Sequence, residues 1–232
     1  MVLGRKKERI HKIAVLLLYL SAAFTLALTV FHRRRFLKKR DDFRALLLYF
    51  ASFFILFFVI PCGLIFIIAR EPFLFLKEAG LTLGQTGKGF LIAAIGAPLA
   101  VLVGFIGSRD AQLRRFYPFS KSACRTGKKL LAYETAYLFL YYLPWEFLFR
   151  GILFFPFIPS LGLIPALCLQ TILSTLYHIG HPDSEILASL AAGFLFGGIA
   201  YITGSFLYTV FLHALVGIST DMFIRRRDYS NA

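Results

Sequence analysis

Ionisable side chains stand inside stretches of this chain that are otherwise apolar. Glu146 and Arg150 lie in LPWEFLFRG (143–151), His178 and Glu185 open and close HIGHPDSE (178–185), and His213 lies in FLHALVG (211–217). Charges at membrane depth are costly, so each one marks a candidate site. Glu146 and Arg150 are four residues apart and share one helix face, where an ion pair would lower the cost of burying either. A carboxylate and two imidazoles meeting in an apolar cavity could activate water, because burial tunes a carboxylate for general-base work. An imidazole could also donate to a developing oxyanion. Together these groups point to hydrolysis of an amide bond within the membrane.

Plainer readings stand beside that chemistry. Glu146–Arg150 could be a structural ion pair, with Pro144 kinking the helix or freeing a carbonyl just before it. His181 and Asp183 read as residues of the water interface, and Glu185 divides between interface and site. Gly217 and Asp221 follow His213 on the same face. Gly217 would admit a neighbouring helix or a substrate backbone, and Asp221, beside Arg225, reads as half of a terminal ion pair.

The elements that must hold these residues are membrane helices. Of 232 residues, 58% are hydrophobic, and the formal net charge is +14. Apolar spans with basic residues gathered between them reconcile the two figures and leave nucleic-acid binding without support. A span needs about 20 apolar residues. The candidates are 13–31, 45–69, 89–107, 130–155, 161–177, 186–202 and 206–224. The last four are joined by very short connections, which implies antiparallel neighbours in one bundle. The first could be mistaken for a signal sequence, but it is long enough to span and runs straight into His32–Arg35. The fold class expected is all-α, a polytopic transmembrane bundle of about seven or eight helices. Residues 1–69 form N-terminal spans with a basic loop, and residues 70–232 form the main bundle, within one compact domain. The segment 71–88 is too polar to span and reads as an interfacial helix and turn.

Basic connections at 33–44 and 109–129, and the tail at Arg225–Arg227, should be cytoplasmic. With every candidate spanning, that places the N-terminus outside, against its own basic residues Arg5–Lys12. Cys62, Cys124 and Cys168 are odd in number and form no CxxC, so they read as packing residues.

Taken in order, WEFLFR (145–150), STLYH (174–178) and HALVG (213–217) resemble the motifs EExxxR, FxxxH and HxxxN of the CPBP family, the CAAX-protease and bacteriocin-processing glutamic intramembrane proteases. EAGLTLG (78–84) and the stretch 192–214 are also similar to that family, and the resemblance covers about residues 70–224. It implies a metal-free endopeptidase with no cofactor, acting on a peptide or membrane-protein substrate in the bilayer. A bacterial cytoplasmic (inner) membrane is the expected location. His178, His213 and Glu146 resemble a His2Glu zinc set, but no HExxH occurs.

The departures are specific. Trp145 stands where the family's water-activating glutamate is expected, Glu146 matches the second glutamate, Ser174 replaces a Phe, and Gly217 replaces the asparagine that assists the oxyanion. The base is then Glu146, turned inward after Pro144, or Glu185, reaching back to His178. Arg150 would hold Glu146, and His213 would face the oxyanion. The rival is a non-catalytic relative, a membrane binding, immunity or scaffold protein. A carboxylate and His178 sharing a water would favour chemistry, whereas a cavity filled by the Trp145 indole would favour binding alone. A small transporter would need a path open to both faces.

Overall fold

The computed structural model describes residues 2–31 and 42–229, with no strand among them. Among the described residues nine helices are formed: α1 (Val2–Thr29), α2 (Asp42–Ile68), α3 (Pro72–Glu78), α4 (Thr86–Gly107), α5 (Ala111–Phe116), α6 (Gly127–Leu161), α7 (Leu163–Tyr177), α8 (Asp183–Thr203) and α9 (Leu207–Tyr229). Five of them, α2, α4, α6, α8 and α9, are long and apolar enough to cross a bilayer, and α1 and α7 contribute shorter apolar stretches. Lipid offers a backbone no partners, so a helix, which satisfies its own amides, is what such sequences form. The chain is an integral membrane protein with the all-α polytopic architecture expected from its sequence. Each of the seven apolar stretches is a helix. The basic stretch 33–44 falls mainly on residues 32–41, outside the described residues, as do the side chains of Arg5–Lys12.

Packing follows small residues and aromatics. α4 lies against α9 through Gly89, Gly96 and Gly104, where a Cβ would meet Tyr208, Leu212 and Ser219. α8 lies against α7 through Gly193 and Gly197, over Thr171 and Leu167. Such small-residue stripes let helix backbones approach closely in a medium that offers no hydrophobic drive. α2 meets α6 through an aromatic wall in which Phe50 stacks on Tyr137 at 5.0 Å and Phe53 meets Tyr141 at 4.5 Å. The free cysteines are buried or half-buried packing residues.

The two ends of the bundle are tied differently. At one end the Ser122 N–H donates to Asp42 at 3.1 Å, and Arg225 Nε donates to the Cys124 carbonyl at 2.9 Å. The start of α2, the 109–129 connection and the basic tail therefore gather together. At the other end α3 leads into the expected turn. Gly84 (φ +53°) sits where a Cβ would overlap the Thr203 carbonyl, and the Gln85 N–H donates to that oxygen at 2.7 Å.

α6 is not a regular helix. Residues Leu138–Tyr142 and Phe147–Ile152 form π-helical turns on either side of Pro144. The wider turns absorb the proline and re-aim the side chains between them, a feature often found at functional sites. α7 has 15 residues, a rise of about 22 Å, short of a hydrocarbon core of about 30 Å. Its last turn therefore delivers His178 beside the middle of α6.

Candidate active site

The functional candidates fall into two clusters separated by one side chain. In the first, Glu146 is fully buried on α6. Its Oε1 accepts from His213 Nδ1 at 2.7 Å and its Oε2 from the Thr209 hydroxyl at 2.7 Å, while Arg150 Nε stands 3.4 Å from Oε2. Thr209 and His213 are one turn apart on α9, so a single face of that helix takes both carboxylate oxygens. An ionised carboxylate only accepts, so His213 Nδ1 carries a proton and Nε2 is left for other work. The His213 side chain remains 23% exposed. Arg150 also lies over the Phe196 ring at 5.6 Å.

The second cluster sits where α7 turns into α8. His178 caps α7, and the chain reverses through Gly180 (φ +95°) with the His181 N–H bonded to the His178 carbonyl at 2.9 Å. His178 Nδ1 donates to the Ser174 carbonyl at 2.7 Å. A carbonyl cannot donate, so in the neutral ring Nε2 is an acceptor. That nitrogen stands 4.0 Å from Glu185 Oε1. The separation is too long for a hydrogen bond but suits one water at about 2.8 Å from each. Glu185 lies in the first turn of α8, where the helix dipole favours a carboxylate. Its Oε1 accepts from the Tyr117 hydroxyl at 2.7 Å and His181 Nδ1 at 3.0 Å, and its Oε2 is buried without a partner. Burial, and Glu185 beside it, hold the Tyr117 phenol well above its ordinary pKa, which keeps it a donor. An open pocket lined by Gln112, Arg115, Phe116, Gly180, His181 and Pro182 adjoins this cluster.

Trp145 stands between the clusters. Its ring is edge-on to His178 at 4.9 Å and to His213 at 6.3 Å, and it packs on Tyr177 at 5.3 Å. The indole is buried, with an unpartnered N–H. The two histidines and two carboxylates thus form pairs, Glu146 with His213 and Glu185 with His178, instead of meeting at one point. Among the described residues no group of three His, Cys, Asp or Glu is set to hold a metal ion.

Other residues lie differently from their sequence readings. Asp183 is exposed as expected, but His181 is a hydrogen-bonded member of the second cluster. Asp221 is 1% exposed and accepts from the Tyr133 hydroxyl at 2.8 Å, not from Arg225, whose Nε donates to the Cys124 carbonyl instead. Thr209 and Tyr117 were not singled out by the sequence. Thr209 precedes His213 by one turn, a legible spacing, whereas Tyr117 comes from a connection and carries no signal.

Residues 129–219 match the family model described as type II CAAX prenyl endopeptidase Rce1-like. The match contains Glu146, Arg150, His178, Glu185 and His213, and is consistent with the CPBP resemblance. No curated protein and no solved structure matches the chain.

Proposed function

We propose that the chain is an intramembrane endopeptidase of the CAAX-protease type, with Glu185 and His178 as the water-activating pair. The observation that carries this reading is the approach of the Glu185 carboxylate to His178 Nε2, 4.0 Å at Oε1, with Oε2 buried and free to accept from a water that also donates to Nε2. A water donating to both has its lone pairs free for attack. Its oxygen bonds to the peptide carbonyl carbon, its proton passes to the pair, and the carbonyl electrons move to oxygen. Collapse then breaks the C–N bond, and the proton goes to the leaving amine. His213 faces the oxyanion. With Nδ1 donating to Glu146, a doubly protonated ring has Nε2 left to donate to the oxyanion. Glu146 has both oxygens engaged by α9 and Arg150, so it acts as a positioning residue and not as the base. Tyr117 and His181 hold Glu185 in place.

The family match supports the protease class. The substrate we propose is a peptide or the tail of a membrane protein reached near the bilayer interface, in a bacterial cytoplasmic membrane. Residues 70–232 form the catalytic bundle in this reading, and residues 1–69 add flanking spans. The test is Glu185→Gln in membranes. Product formation should fall by at least about 100-fold while the protein accumulates normally. Unchanged product formation would contradict the assignment.

One observation favours a second reading. The Trp145 indole occupies the space between His178 and His213, as expected of a binding or scaffold protein built on the same bundle. Such a protein would form no product under any condition and would be indifferent to Glu185→Gln.

A further inference from the structure

We propose that the Tyr142 hydroxyl is the second oxyanion donor of the site, supplied from α6 into the place that a side chain at position 217 would fill. The inference rests on the protease reading above.

Four observations carry it. Gly217 is four residues after His213 on α9, so the two share a face. A Cβ built on Gly217 would overlap the Tyr142 hydroxyl oxygen and lie 2.8 Å from Tyr142 Cζ. The phenol oxygen therefore occupies the volume of the missing side chain. The Tyr142 ring also packs against the His213 ring, with centroids 4.8 Å apart. Tyr142 is 4% exposed and ends the first π-helical turn of α6, the irregularity that turns it towards α9.

A hydroxyl held in that place has one proton to give and sits beside the imidazole assigned to the oxyanion. When water adds to the carbonyl carbon and the carbonyl electrons move to oxygen, two donors from two helices then face the new charge, Tyr142 O–H and His213 N–H. No proton need leave Tyr142, and both hydrogen bonds relax when the C–N bond breaks and the carbonyl re-forms. The geometry also gives Gly217 a reason. The family pattern places an asparagine there, and in this chain the facing helix fills the site, so any side chain larger than hydrogen collides with it.

The test uses the full chain in liposomes and a synthetic peptide spanning the cleavage site of a membrane protein that is cut with the wild type and left intact with His178→Ala. Tyr142→Phe should lower kcat by about 100-fold, the scale of losing one preorganised oxyanion donor, with KM within about twofold and unchanged thermal unfolding. Tyr142→Ala should lose activity too, and Tyr142→Ala/Gly217→Asn should recover at least about tenfold of it, because the amide returns a donor to the vacated place. An unchanged kcat in Tyr142→Phe overturns the assignment. Loss with no recovery in the double variant makes Tyr142 a packing residue and overturns it as well. If no membrane protein is cut in a His178-dependent way, the protease reading fails and this inference fails with it.

Discussion

Glu146 and Glu185 show how far residue type and spacing carry. The i, i+4 pairing of Glu146 with Arg150 was legible, and both are buried together. Which carboxylate could act as a base was not legible, because it depends on what each faces. Glu146 faces Thr209 and His213, which consume its oxygens, and Glu185 faces His178 across a gap of one water. The two should respond differently to mutation. Glu146→Ala leaves Arg150 buried and unpaired, so it should cost about 3–5 kcal/mol of stability, read as a lower thermal midpoint in detergent. Glu185→Gln keeps shape and neighbours and should leave that midpoint within a degree or two while abolishing product. Trp145 was legible as a departure but not as a divider of the site, since a ring's reach emerges only when α7 ends short. Trp145→Ala should destabilise by about 3–5 kcal/mol through the cavity it opens, which the same melting measurement would detect.

Among the elements, the seven apolar stretches were read as helices because a bilayer imposes length and apolarity directly, but α1 begins at Val2, α6 runs on to Leu161, and five of the helices are long and apolar enough to cross it. The π-helical turns of α6 were not, because Pro144 announces a perturbation without saying whether the helix kinks or widens. The stripe Gly89–Gly96–Gly104 makes α4 a close partner of α9. Gly104→Leu should therefore push the two helices apart and lower the folded yield in membranes, whereas leucine at the open Gly87 should not. The connection beside the site is pinned by Asp110, whose carboxylate accepts from the Leu113 and Gln112 N–H groups at 3.1 and 2.7 Å. The Leu113 bond, then that of Gln112, holds its pKa below the ordinary value. Its stabilising effect is therefore complete above the unfolded-state pKa and is lost as pH falls through the lower folded one. Asp110→Ala should cost about 1 kcal/mol at neutral pH and progressively less in acid, measured as protection of residues 111–116 from hydrogen exchange.

At the scale of the whole molecule, basic residues and apolar spans sort to different places, and the 109–129 connection and the 225–227 tail share one end of the bundle. Single cysteines placed at Arg125 and Arg226, in a chain with its native cysteines replaced, should react with an impermeant maleimide from the same side of the membrane. Labelling from opposite sides would overturn the arrangement of α6 and α9. The bundle's organising idea is that short α7, irregular α6 and α9 bring His178, Trp145 and His213 together. A protease built on that cluster must leave cut ends on other membrane proteins. The direct measurement is mass spectrometry of new peptide ends in cells that carry the wild-type chain or His178→Ala at equal levels. The account predicts at least one membrane-protein end present only with the wild type. Identical sets of ends would contradict proteolysis and leave Trp145 as the packed centre of a binding protein.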